Sequence, residues 1–189
     1  MLPGEAALLE ERRQFLQTIE SLSDEEFERG TTLCAEWAPR DVLAHLLGEE
    51  ERSVAYLTNL LRISAANDKI VAEYRAKTRQ DLTQRARAWA SRVTWSHHFF
   101  AVGLLGDVAT HHQDVLRGVG RTREIPEASK NAILREGVIL GGTKLLRHHV
   151  VPTDGGRALG RGREVRGTRE ALGLWLAGRQ GLEPELEGL

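Results

Sequence analysis

With 189 residues, 26 Lys and Arg against 27 Asp and Glu, and a net charge of −1, the chain can bury a real core in one domain. It is too nearly neutral for generic nucleic-acid binding. Cys34 is the single cysteine, so no disulfide can form within the chain, which fits a reducing compartment. No apolar run approaches the ~20 residues of a bilayer span, and the N-terminus lacks the basic and apolar regions of a signal peptide; a cytoplasmic protein without a membrane partner is expected.

Charge is unevenly spread. Glu10, Glu11, Glu20, Asp24, Glu25, Glu26, Glu28, Glu49, Glu50 and Glu51 make the first third acidic, and Lys144, Arg147, Arg157, Arg161, Arg163, Arg166 and Arg169 make the last stretch basic. Both read as solvated faces.

In chain order, Leu8, Leu9, Phe15, Leu16, Ile19 and Leu22 recur at helical spacing from Glu5 to Leu22, predicting an amphipathic helix. Ser23-Asp24-Glu25-Glu26 reads as a capping box that opens a short further turn. A connection from Gly30 to Trp37 ends at Ala38-Pro39, and Pro39 suits the first turn of a helix running to about Arg62. Leu43, Leu47, Val54, Leu57 and Leu61 form one apolar face of that helix and Val42, Leu46 and Leu60 another. Two faces imply neighbours on two sides, as in a bundle. Glu50 falls awkwardly within the first face, and the apolar pattern offers no account of it there; His45 lies at the edge of the second.

Residues from about Asn67 to Ser91 give one or two more helices, with a break near Lys77-Thr78 and a cap from Thr78 or Asp81. Val93 to His98 reads as irregular. A helix from about Phe100 to Arg117 follows, ended by Gly118 and Gly120. Ile125-Pro126-Glu127 opens a fifth helix running to about Leu146. Then Val150 to Gly156 and Arg163 to Gly167 suggest two short strands around a glycine-rich turn, and Ala171 to Arg179 closes as a short helix. The expected fold is mainly α: a four-helix bundle over residues 1–147 with a small hairpin-plus-helix appendage over 148–189.

The chemistry concentrates in Gly106-Asp107-Val108-Ala109-Thr110-His111-His112-Gln113-Asp114. Residues four apart share a helix face, so Asp107 and His111 form a carboxylate–imidazole pair able to grip one metal ion, while Asp114, one turn on, can support a ligand. The same spacing also occurs in surface ion pairs. A third ligand must come from elsewhere, and His45 is the best candidate. His112 lies nearer the centre of the apolar stripe but has Val108 one turn back, so it has no chelating partner on its own helix. His97-His98 and His148-His149 read as structural or exposed. Cys34 reads as a small buried hydrophobe, and Gly160 to Gly167 lacks the ending and strand–loop–helix order of a phosphate loop.

Three ordered segments carry a resemblance. Cys34-Ala35-Glu36-Trp37-Ala38-Pro39-Arg40-Asp41-Val42-Leu43-Ala44-His45-Leu46 resembles the entry to the second helix of the mycothiol-dependent maleylpyruvate isomerase metal-binding domain, within the DinB/YfiT-like helical bundles. Asp107 to Arg117 resembles that family's acid-x-x-x-His-x-Gln-Asp segment. Leu159 to Gly167, followed by Leu174 to Arg179, resembles its closing segment.

The resemblance implies a DinB-like bundle holding a divalent metal through His45, Asp107 and His111: zinc foremost, with nickel, iron or manganese as alternatives. Three protein ligands leave a position open to water or substrate, as in reactive sites. It further implies a low-molecular-weight thiol such as mycothiol and an electrophilic small-molecule substrate, in an S-transferase or an isomerase-related enzyme. A homodimer is a further expectation. Two departures stand out: the matching acid is usually glutamate, one methylene longer than Asp107, and the C-terminal part reads as much reduced beside the isomerases' larger second domain. Both argue against maleylpyruvate isomerase activity itself. The competing class is a non-enzymatic module that holds metal or a small ligand in a stress response.

Overall fold

Two capping boxes fix where short helices begin. At each, a hydroxyl accepts the backbone N–H three residues on, and the acid there reaches back to the cap's own N–H: Ser23 with Glu26, and Thr78 with Asp81. The computed structural model describes residues 4–34, 36–51, 71–92, 94 and 100–189. Val54, Leu57, Leu60 and Leu61 of the expected 39–62 helix, the first residues of the 67–91 stretch, and Val93 and Trp95 to His98 lie outside them.

The described elements are α1 (Glu5–Ser21), α2 (Asp24–Arg29), α3 (Pro39–Glu51), α4 (Arg79–Ser91), α5 (Ala101–Gly118), α6 (Glu127–Gly141), β1 (His148–Pro152), β2 (Leu159–Gly160), β3 (Arg163–Gly167) and α7 (Arg169–Leu176). The expected fifth helix to Leu146 is α-helical only to Gly141 and tightens into a 3₁₀ turn over Gly142–Leu146. The class is mainly α with a small C-terminal sheet, as the sequence predicts. Among the described residues no helix is long and apolar enough to cross a membrane.

Contacts divide the chain into two units. One comprises Met1–Glu11, Trp95–Gln113 and Arg123–Leu189; the other comprises Arg12–Thr94 and Asp114–Thr122. In the first, Leu8, Leu105, Val108, Ile133, Val165 and Leu172 are among the buried apolar residues, each contributing about 1.5–3 kcal/mol by leaving water. Here α6 and α7 approach closely because glycines face each other. A Cβ at Gly137 would lie 2.2 Å from the Gly173 carbonyl oxygen, and one at Gly173 would lie 2.5 Å from that of Ile133.

The sheet corrects one expectation. The two anticipated strands do pair, but β1 and β3 run parallel, with Val150 opposite Val165, and the antiparallel partner of β1 is the two-residue β2 on its other side. A second reversal makes the difference. After β2 the chain passes the start of β1 through Gly160 and Gly162, at φ 79° and 108°. A Cβ at either would lie 2.3 Å from a carbonyl oxygen, of His148 and Arg147 respectively, so only glycine fits.

In the second unit, Phe15, Ile19, Phe27, Leu43, Leu82 and Trp89 belong to the core. Arg12, 1% exposed, is its polar hub. Its guanidinium lies 4.5 Å from the Trp89 ring centre, donates to the carbonyls of Trp89 and Arg92, and pairs with Glu50 at 2.9 Å. This explains the charge at Glu50 within an apolar face: its partner arrives from α1.

Candidate metal-binding site

The first unit carries the carboxylate–imidazole pair. Leu105, Val108 and Ala109 turn one side of α5 into the core, and Asp107 and His111 stand one turn apart. His111 Nε2 lies 3.5 Å from Asp107 Oδ1; the imidazole is nearly buried and the carboxylate about a quarter exposed. That separation is too long for a strong hydrogen bond. It is the right one for sharing an ion, because two donors ~2.1 Å from a tetrahedral centre stand about 3.4 Å apart. The shorter side chain of Asp107 therefore still meets its histidine, and the donor set fits a divalent cation.

A residue the sequence reading missed lies beside the pair. Glu136 of α6 is half-buried, and its carboxylate lies against Gly106, where a Cβ would stand 2.8 Å from Oε2. Burial and the negative charge of Asp107 raise its pKa to about 7, against the opposing charges of His111, Arg135 and Arg179. The signal was present: Glu136 falls between the buried Ile133 and Gly137.

His112 has a different fate. It is fully buried, and Nδ1 lies 2.7 Å from Glu11 Oε1. Glu11, 1% exposed, also pairs with Arg123 and accepts from Ser129 Oγ at 2.6 Å. Gln113, with its amide oriented to satisfy both neighbours, donates to Glu170 at 3.1 Å and accepts from Arg123 Nε at 3.0 Å. Burial alone would raise the Glu11 carboxyl, but His112, Arg123 and Ser129 together hold it below the ordinary carboxylate range. Burial pushes His112 down and the charge of Arg123 adds to this, outweighing the pull of Glu11. His112 is thus a neutral imidazole donating through Nδ1–H. The reading of Glu11 as part of a solvated acidic face is corrected: it lies on the buried stripe of Leu8 and Phe15.

Two further described histidines of this unit lie away from the pair: His148 packs edge-on against Trp175 at 5.2 Å and makes a 3.0 Å contact from Nδ1 to the Lys144 carbonyl oxygen, and His149 lies 3.8 Å from Glu164.

In the second unit, His45 sits on α3, 4% exposed, its ring 5.3 Å from that of Trp37. Pro39 opens the helix, and the Asp41 side chain accepts the Ala38 N–H, which settles the first turn that carries His45 inward. Asp114 is fully buried; Oδ2 accepts from the Cys34 thiol at 3.0 Å, and the backbone oxygen accepts from Leu33 N–H at 3.1 Å. Cys34 is accordingly half-buried and hydrogen-bonded, not the small buried hydrophobe expected.

Residues 8–116 match the family model described as the mycothiol maleylpyruvate isomerase N-terminal domain, more than half of the chain. The chain belongs to this family. The matched stretch contains His45, Asp107 and His111. No curated protein matches the chain. Among solved structures it is similar to the crystal structure of the mycothiol-dependent maleylpyruvate isomerase, with a TM-score of 0.66 at 16% identity, and to that of a histidine-to-alanine mutant of it, with a TM-score of 0.63 at 15% identity. Each match covers 94% of this chain and 90% of the other. The DinB-like, mainly α fold is therefore shared. The coverage corrects the expectation of a much reduced C-terminal part: this family member and the solved isomerase correspond along nearly their whole lengths.

Proposed function

We propose that this protein is a divalent-metal-dependent enzyme that uses a low-molecular-weight thiol of the mycothiol type, as an S-transferase or isomerase acting on an electrophilic small molecule. His45, Asp107 and His111 hold the metal, and Asp114 serves as a supporting carboxylate further along α5. The observation that carries the reading is the 3.5 Å approach of Asp107 and His111, inside a stretch matched to the isomerase family. Zinc suits a mixed nitrogen and oxygen donor set.

Each residue has a distinct task. The carboxylate supplies negative charge to the cation, the imidazoles supply neutral donors, and the burial of His45 and His111 limits water around them. A bound cation of this kind lowers the pKa of a thiol or water that meets it, making a nucleophile at neutral pH. The protein then needs only to admit an electrophile beside that nucleophile.

Metal analysis of untagged wild-type protein beside His45→Ala and His111→Ala tests the assignment. The wild type is expected to carry about one equivalent and each variant far less; equal content in all three refutes it. Metal-loaded protein mixed with mycothiol and a panel of electrophiles then separates an enzyme from a binding module, since only the enzyme yields a thiol adduct or isomerised product.

A further inference from the structure

We infer that Glu136 is a positioning residue of the metal site, a second carboxylate whose charge balances the cation beside Asp107. This rests on the metal reading above.

Placement comes first. Glu136 lies close across α5 at a glycine: a Cβ at residue 106 would come within 2.8 Å of Oε2 and 3.2 Å of the Glu136 Cβ, so a side chain there would push the carboxylate aside. This brings the acid against the helix one residue before Asp107. Its helix is held firmly, since the next residue, Gly137, packs directly onto the backbone of α7 at Gly173. A carboxylate on a locked helix keeps its position better than one on a loop.

Charge comes second. Asp107 alone offers one negative charge to a divalent ion, which leaves a surplus positive charge in a largely buried place. Glu136 supplies a second negative charge. Without the ion, two half-buried carboxylates lie close together, and each disfavours the charge of the other. Two acids on packed helices, beside an imidazole positioned to share an ion, form an arrangement that suits a cation. Outer carboxylates of this kind tune metal affinity by roughly 10–100-fold when altered.

The test measures zinc affinity by competition with a chromophoric chelator, and thermal stability of the metal-free proteins, for wild type, Glu136→Gln, Glu136→Asp and Gly106→Ala. Glu136→Gln keeps the shape and removes the charge; affinity is expected to fall roughly tenfold or more, with metal-free stability unchanged or raised. Glu136→Asp keeps the charge and is expected to bind more tightly than Glu136→Gln. Gly106→Ala pushes the carboxylate aside with its charge intact and should also weaken binding. A wild type that takes up no zinc overturns the metal reading and this inference with it. A wild type that binds while Glu136→Gln binds equally tightly overturns this inference alone, as does an Asp variant no better than the Gln variant.

Discussion

His111 and His112 are consecutive on α5, yet their surroundings have little in common. His112 sits in a closed cage: Glu11 takes its Nδ1–H, and Arg123 and Ser129 complete the carboxylate's partners. His111 faces Asp107 across 3.5 Å in the field of a second acid, Glu136. One helical step turns a side chain by about 100°, enough to separate a histidine whose charges are balanced within the protein from one standing beside two carboxylates. The first kind of site holds the fold together. The second is where we place the cation.

The cage should therefore be the more expensive of the two to break. Glu11→Ala removes the carboxylate on which His112, Arg123 and Ser129 converge and leaves the Arg123 guanidinium without it. A loss of about 3–5 kcal/mol is expected, as for a buried ion pair deprived of one partner, measured by urea denaturation in the presence of chelator. A loss below about 1 kcal/mol would show that the cage behaves like a surface cluster and would erase the contrast with His111.

Acid should separate the two regions by sign. The folded pKa of His112 is depressed from its ordinary 6.5, so below about pH 6.5 the unfolded chain takes up a proton that the native cage refuses, and stability falls. Glu11 is also depressed, from 4.5; its contribution is present above about pH 4.5 and is lost as the pH falls through its folded value. Glu136 works in the opposite direction. Its folded pKa is raised to about 7, so between pH 4.5 and 7 the native state keeps a proton that the unfolded chain has released, and stability contributed there declines as pH rises. Denaturation midpoints of metal-free protein from pH 4 to 8 should show His112→Asn flattening the fall below pH 6.5, while Glu136→Gln gains on wild type from pH 5 to pH 8. Parallel curves for all three would count against both assignments.

Much of this was legible in the sequence. Apolar spacing gave most of the described helices, Ser23 announced one cap while Thr78 and Asp81 were both candidates for another, and the fourfold spacing of Asp107 and His111 put the pair on one face. What stayed hidden were partners arriving from distant elements. Glu11 and Arg12 are three and four residues after Leu8 on a buried stripe, so the pattern placed them inward, but their acidic and basic character suggested solvent. Only tertiary structure shows that Arg12 neutralises Glu50 and that Glu11 receives His112. Glu136 escaped for the same reason, because no local rule says which glycine on another helix will admit a carboxylate. The parallel pairing of β1 and β3 depended on a second chain reversal, which a glycine-rich stretch suggests without fixing its direction.

The smallest effect on stability belongs to Asp107→Asn, and that smallness is informative. A fourfold-spaced acid–imidazole pair with one partner partly exposed contributes at most about 0.3–0.5 kcal/mol, and removing the Asp107 charge also relieves the repulsion felt by Glu136. In chelator, the variant should unfold within about 0.5 kcal/mol of wild type, while its zinc uptake falls sharply because a charged donor has been replaced by a neutral amide. If metal-free stability instead drops by more than about 1 kcal/mol with zinc uptake intact, Asp107 serves to hold α5 in place as Glu11 does, and the two neighbouring histidines differ less than their surroundings indicate.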